Sequence, residues 1–230
     1  MAVTIDHVHD ADVVVLPDGQ VDLCAVPPPT GDKPTPAIIK EIDSRVADVR
    51  FVLDQLAVIN CGGNPDQAHR PLPGGLRGAL DLGRTGMFGV SDGGSTTVHV
   101  MHVDTLWTPQ AVAGSGRPLM LFGRPKLDPF EAVTWAEFWA KQRGPKLWLE
   151  LKGSEHHTFT DFAPLVPQLA PILGEPPSWV IAGIGTIKGP RTVVVLRAYV
   201  GAWFDRHLRR RAAPLLSGPS PRHPEVTFVR

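Results

Sequence analysis

Ser91 stands in Gly89-Val90-Ser91-Asp92-Gly93, followed by Gly94, which is the spacing of a nucleophile elbow. In such an elbow a strand turns sharply into a helix, and residues without a Cβ on both sides leave the serine hydroxyl exposed at the strand's C-terminal end. A serine hydroxyl is a poor nucleophile until an imidazole takes its proton. That imidazole in turn needs a carboxylate to fix its tautomer and stabilise its charge. Both groups occur further along the chain. Asp104 lies in Val103-Asp104-Thr105-Leu106-Trp107-Thr108-Pro109, and His156 in Gly153-Ser154-Glu155-His156-His157-Thr158-Phe159-Thr160-Asp161-Phe162. An imidazole base of ordinary pKa, about 6.5, makes the rate of such chemistry rise from acid toward neutral pH.

Those groups need strands and helices to hold them, and the apolar periodicity supplies candidates. Thr85 to Phe88 reads as a short buried strand entering the elbow, and Gly93 to Thr96 are small enough for a packed helix to follow. Val98 to Val103 is β-like and ends at Asp104. Leu119 to Phe122 and Leu147 to Leu151 read as strands, and the second delivers His156 to a loop at its C-terminal end. Between them Glu131 to Lys141 reads as a helix with Trp135, Phe138 and Trp139 on one side. Upstream, Ala2 to Ile5 reads as a strand and Val13 to Leu16 as an extended piece before the turn Pro17-Asp18-Gly19. A proline-rich loop, Pro27 to Pro36, comes next. Ile38 to Ile59 has helical spacing at Ile38, Ile39, Ile42, Val46, Val49, Val52, Leu53 and Leu56. Cys61 to Gly83 is a glycine- and proline-rich connection. Phe162 to Leu173 and Arg191 to Arg210 complete the helices. Strands alternating with helices predict an α/β fold, with a mostly parallel sheet flanked by helices in a single domain over residues 1–230.

Composition narrows the partners. With 230 residues and 43% apolar content the chain can build a sizeable core. Lysine plus arginine equal aspartate plus glutamate at 23 each, so no net field favours nucleic acid or an anionic membrane. A neutral or zwitterionic small molecule fits better. The basic run Arg206 to Arg211 reads as the end of a helix, where cations complement the dipole. Cys24 and Cys61 do not form a zinc or disulfide framework, and either one bridge or two buried thiols would accommodate them. No run of 18 apolar residues and no secretory leader pattern is present, so the expectation is a cytoplasmic chain without stable membrane insertion. His99, His102 and Asp104 have a ligand-like composition, but on an alternating strand His99 and His102 point to opposite faces, and no metal is expected. His7, His9 and Asp10 read as loop and pocket-wall residues. Trp107, Trp135, Trp139 and Phe159 suit either a substrate pocket or the core.

At its chemistry-bearing segments the chain resembles the platelet-activating factor acetylhydrolase family, serine esterases of the α/β-hydrolase fold. The likeness takes in Val3 to His7 with Asp10-Ala11, Pro17-Asp18-Gly19, Arg50 to Leu56, the elbow, the Asp104 segment, the Gly153 to Phe162 loop and the C-terminal helix. The resemblance implies Ser91 as nucleophile, His156 as general base, Asp104 as orienting acid and the Asp92 backbone N–H as an oxyanion donor. It implies a small-molecule ester substrate with a short acyl group, such as the acetyl ester of a phospholipid, and no cofactor. His157 competes with His156. Asp128, after the Leu119 to Phe122 strand, competes with Asp104.

Three departures from the family pattern bear on these expectations. Val90 stands where the family has histidine. Only twelve residues separate Ser91 from Asp104; as helix they reach about 18 Å, which leaves nothing for a strand returning through the sheet. Measured against the family, the chain is expected to be without the N-terminal strands and the loop that gives the second oxyanion N–H, and losing such a donor costs roughly 3 to 4 kcal/mol in transition-state stabilisation. Missing strands would expose a sheet edge for self-association. A catalytically impaired relative acting as a binding module, and a cutinase-like polyester hydrolase, are the alternatives.

Overall fold

The computed structural model describes residues 1–11, 13–25, 36–101 and 115–229. Most of the proline-rich loop, Asp104 and Trp107 lie outside them. The chain divides into two compact units, Met1–Ala111 and Val112–Arg230.

In the first unit β1 (Val13–Val15) and β2 (Val21–Leu23) form an antiparallel hairpin. Its turn is closed by Gly19, whose φ of +88° no β-branched residue would adopt easily. Helix α1 (Pro36–Asn60) buries Ile42, Val46 and Val49, spaced four and three apart as one helical stripe requires. It packs on α2 (Asp92–Met101), which buries Thr96, Thr97 and Val98. The last residue of α1, Asn60, donates to the carbonyl of Leu80 at 3.1 Å and accepts from its N–H at 2.9 Å, tying down the long connection that leads to the elbow.

The second unit is a layered α/β structure. Strands β3 (Leu119–Gly123) and β4 (Lys146–Leu151) run parallel, joined by α3 (Pro129–Lys141). A third strand, β5 (Val226–Phe228), pairs antiparallel with β4, so the sheet order is β3-β4-β5 and the sheet is mixed. Alternation along β4 serves both faces. Leu147, Leu149 and Leu151 join Val195, Tyr199, Leu216 and Val226 in the main core, with α6 (Gly189–His207) on that face. Trp148 points the other way, its ring 5.7 Å from Trp135 and 5.8 Å from Trp139 of α3. Gly123 makes room for this layer, since a Cβ there would come within 2.7 Å of the Trp135 ring. Two further helices, α4 (Phe162–Leu173) and α5 (Pro177–Ile184), lie between β4 and α6 in the chain.

Several sequence expectations are corrected. Residues 85–88 form no strand, and Phe88 is 68% exposed; Gly86 and Gly89 bracket too short a run to lay down a ladder of backbone bonds. Residues 2–5 form no strand either, and Val3 faces solvent. Residues 98–101 are helical, not β-like, because α2 continues through them. The hydroxyls of Thr96 and Thr97 donate to the carbonyls of Asp92 and Gly93, both at 2.8 Å, a back-bonding pattern that belongs to helix. The strand alternation applied to His99 and His102 therefore does not hold at position 99, while 102 lies outside the described residues. Cys24 and Cys61 are both exposed and no disulfide joins them, so neither a bridge nor two buried thiols is found.

Candidate active site

Ser91, the candidate nucleophile, lies in the first unit. Ser91 has φ of +54°, the left-handed region that a side chain enters only when its surroundings impose it, at a strain of about 1 to 3 kcal/mol. The flanking glycines are why the turn can close. A Cβ at position 89 would stand 2.3 Å from both the carbonyl carbon and the oxygen of Gly93, and 2.9 Å from its Cα. The turn is fastened by Gly93 N–H to the carbonyl of Val90 at 2.9 Å and Ser95 N–H to the carbonyl of Ser91 at 3.0 Å. Ser91 is exposed, and Asp92 opens α2, where a backbone N–H has no intrahelical acceptor and the helix dipole favours developing negative charge.

A charge cluster in the same unit reaches this turn electrostatically. Arg45 donates from Nη2 to Asp10 Oδ1 at 2.8 Å and to Glu41 Oε1 at 2.7 Å. Burial, more than any other influence, raises the Glu41 pKa above the usual carboxylate range; Asp10 and Asp92 push it the same way and Arg45 opposes them. His7 and His9, read from sequence as loop and pocket-wall residues, are each held by a carboxylate. His7 Nδ1 lies 2.7 Å from Asp48 and His9 Nδ1 2.8 Å from Asp22. Among the described residues no three His, Cys, Asp or Glu side chains converge as a metal site.

His156, the candidate base, lies in the second unit, on the loop that leaves β4. Gly153, with φ of +73°, turns the chain, and its carbonyl accepts from Thr186 N–H at 2.8 Å and Ile187 N–H at 3.1 Å. Gly185 passes so close that a Cβ there would sit 2.1 Å from the Gly153 oxygen. Ser154 is buried, donating to the carbonyl of Leu151 at 2.6 Å. The fully buried Thr158 hydroxyl accepts from Glu155 N–H and donates to the carbonyl of Ile184, both at 2.7 Å. Phe159 reaches the core, 5.8 Å from the Phe122 ring. The result is a single short 3₁₀ turn, His156–Phe159, that is rigid in its backbone and presents His156 half-exposed at its start. His157 points outward against Phe162 at 5.8 Å.

Asp128, the competing acid, is the N-cap of α3. It accepts from Glu131 N–H at 2.8 Å while Glu131 Oε2 accepts from Asp128 N–H at 3.1 Å, a reciprocal capping box. Among the described residues a carboxylate that faces the imidazole is Glu131, whose Oε1 lies 4.0 Å from His156 Nδ1. Sequence inspection passed over it, although Asp128-Pro129-Phe130-Glu131 directly after a strand is the signature of such a box. Two shallow clefts of about 350 and 500 Å³ lie along α6 and the C-terminal segment, and neither His156 nor Glu131 lines them.

No protein-family model matches the chain. It is 27% identical, over 254 aligned residues, to a protein of Arthroderma benhamiae named as a probable 1-alkyl-2-acetylglycerophosphocholine esterase, the match covering 99% of this chain and 58% of that protein. The solved structure of a ferulic acid esterase from Streptomyces cinnamoneus superposes with a TM-score of 0.74 at 33% identity, covering 98% of this chain and 64% of the other. The chain has the α/β-hydrolase fold, and both proteins it matches are named as esterases. The chain spans less than two thirds of the length of both proteins.

Proposed function

We propose that the chain is a serine esterase acting on short acyl esters through an acyl-enzyme intermediate. Ser91 is the nucleophile and His156 the general base. The resemblance assigns the orienting acid to Asp104, and the Asp92 N–H is an oxyanion donor. In the acylation step Ser91 Oγ attacks the carbonyl carbon as an imidazole nitrogen takes its proton. The tetrahedral oxyanion is met by the N–H at the start of α2, and its collapse expels the alcohol, which receives the proton from the imidazole. Water then repeats the sequence to release the acid. Each oxyanion donor of this kind contributes about a hundredfold to a thousandfold in rate.

The observation that carries this reading is Ser91 itself. A serine forced into the left-handed region between glycines whose backbones nearly touch is strain with a purpose, since it lifts a hydroxyl clear of its neighbours at the mouth of a helix. Two relatives named for ester hydrolysis support the substrate class, one for an acetyl ester of an ether phospholipid and one for an aromatic acid ester. A p-nitrophenyl acyl series against a feruloyl ester separates these preferences, with acetyl favoured. Labelling by a fluorophosphonate probe tests the nucleophile, and it should vanish in Ser91→Ala. Labelling that persists in that variant discards the assignment.

A further inference from the structure

We propose that Arg45 sets the electrostatic potential at the Ser91 turn, offsetting the carboxylates of Asp10, Glu41 and Asp92 so that the start of α2 accepts negative charge; its catalytic meaning rests on the esterase reading above. Helix α1 assembles the group. Glu41 and Arg45 stand one turn apart on it, α1 packs on α2, and α2 begins at Asp92. Asp10 is brought in by a turn in which its own N–H and that of Ala11 donate to the carbonyl of His7, at 3.2 and 3.0 Å.

Arg45 holds two of the three acids directly. Its Nη2 donates to Asp10 Oδ1 at 2.8 Å and to Glu41 Oε1 at 2.7 Å, while its Nε pairs with the other Asp10 oxygen, a two-pronged contact that fixes the plane of the guanidinium. Solvent screens little of this, because the side chains of Arg45, Asp10 and Glu41 are only 17, 13 and 11% exposed. Burial works against the charge on Arg45, yet the bond with Asp10 and the fields of Asp10, Glu41 and Asp92 outweigh it and raise its pKa. Asp48 and Asp22 have imidazole partners in His7 and His9. Asp10, Glu41 and Asp92 all bear on the one guanidinium. Without that cation, negative charge would accumulate around the N–H groups that open α2 and oppose the charge a helix start favours. Removing one of the acids would do the reverse.

The thiol of a Ser91→Cys variant reads this potential directly, because a thiolate is stabilised by positive surroundings and opposed by negative ones. Cys24 and Cys61 are changed to serine in that variant, so that a single thiol titrates. A thiol titrates about four pH units above an ordinary carboxylate, so Glu41 keeps its charge through the measurement even with its pKa raised by burial, Asp10 and Asp92. Glu41→Gln leaves an oxygen for Arg45 and should lower the thiol midpoint by about half to one pH unit. Arg45→Gln should raise it by a similar amount. Arg45→Lys, which keeps the charge and loses the fork, should stay near the parent. In the serine enzyme the same changes should appear in kcat for p-nitrophenyl acetate with KM unchanged, since a neutral ester feels the field only as its oxyanion forms. The expected size is about a threefold to tenfold gain in Glu41→Gln and a matching loss in Arg45→Gln. A merely structural Arg45 predicts no gain in Glu41→Gln. A thiol midpoint that stays put or rises in Glu41→Gln overturns the proposal, as does an Arg45→Lys variant displaced as far as Arg45→Gln. If Arg45→Gln does not fold, the Glu41→Gln comparison decides alone. A parent chain that neither hydrolyses esters nor labels at Ser91 ends the esterase reading, and the thiol titration still settles what Arg45 does.

Discussion

The two glycines of the elbow look alike in sequence, yet the structure gives them unequal jobs, and alanine at each should separate them. At position 89 the added Cβ falls 2.3 Å from the Gly93 carbonyl, about 1.1 Å inside the 3.4 Å at which ordinary contact begins, and the obstructing atoms are backbone. Nothing flexible is available to move aside. Overpacking of this kind costs about 1 to 3 kcal/mol, and relieving it must open the Ser91 turn by about an ångström. A misplacement of that size at a reacting group costs about a hundredfold in rate. At position 93 no described atom lies within 4 Å of the added Cβ, and the residue is the second of α2. There alanine should be neutral or add about 0.5 to 1 kcal/mol through lower unfolded-state entropy. Thermal melts and fluorophosphonate labelling rates on both variants are the assay. Gly89→Ala should melt lower and label at about one hundredth of the parental rate, and Gly93→Ala should match the parent or melt slightly higher. Equal losses in the two variants, or a Gly89→Ala variant that labels normally, would refute the steric reasoning.

Two further outcomes follow from buried groups elsewhere. Tyr199 is fully buried and its hydroxyl has no hydrogen-bond partner among the described residues, so Tyr199→Phe should stabilise by about 1 kcal/mol, read as a rise of about 2 to 4 °C in Tm; a drop would reveal an unseen partner. His207 packs its ring 4.2 Å from that of Trp203, and burial, aided by Arg206, lowers its pKa from the usual 6.5. A depressed histidine costs nothing while neutral in both states. Stability is therefore lost as pH falls from about 6.5 toward the lower folded-state value, and His207→Gln should show a smaller loss between about pH 7 and about pH 5 in urea melts. A variant whose stability falls as steeply as the parent's would contradict this.

How far the fold was legible depended on whether an element advertised itself over enough residues. The helices α1, α3, α4 and α6 and the strands β3 and β4 repeat their apolar period several times, and each appears close to where the spacing predicts it. The three-residue β5 offers no period at all and exists because β4 lends it a ladder. Helix α5 hides behind Pro176 and Pro177, with Pro177 tolerated because it occupies the first turn. The reading of residues 98–101 as a strand weighed β-branched valines above the helix that the elbow had already begun, whose threonines bond back within its own turns. The turn at Ser91 and the loop that carries His156 were legible as local structure because glycine spacing and loop motifs are local. Glu131 was not, since its meeting with His156 depends on two parallel strands setting their ends on one edge, a relation between residues 25 positions apart that no local motif encodes. Asp104 lies outside the described residues, so its place rests on the resemblance.

The crossing of Gly153 and Gly185 has a consequence for how this protein can vary. The chain enters the histidine turn at Gly153, leaves it after Phe159 and is pinned back to it at residues 184–187, making residues 161–183 a detour that begins and ends at the same knot. Lengthening or exchanging that detour adds only a slowly growing closure cost. The sequence of α4 and α5 could therefore be rewritten while the backbone at His156 stays where it is.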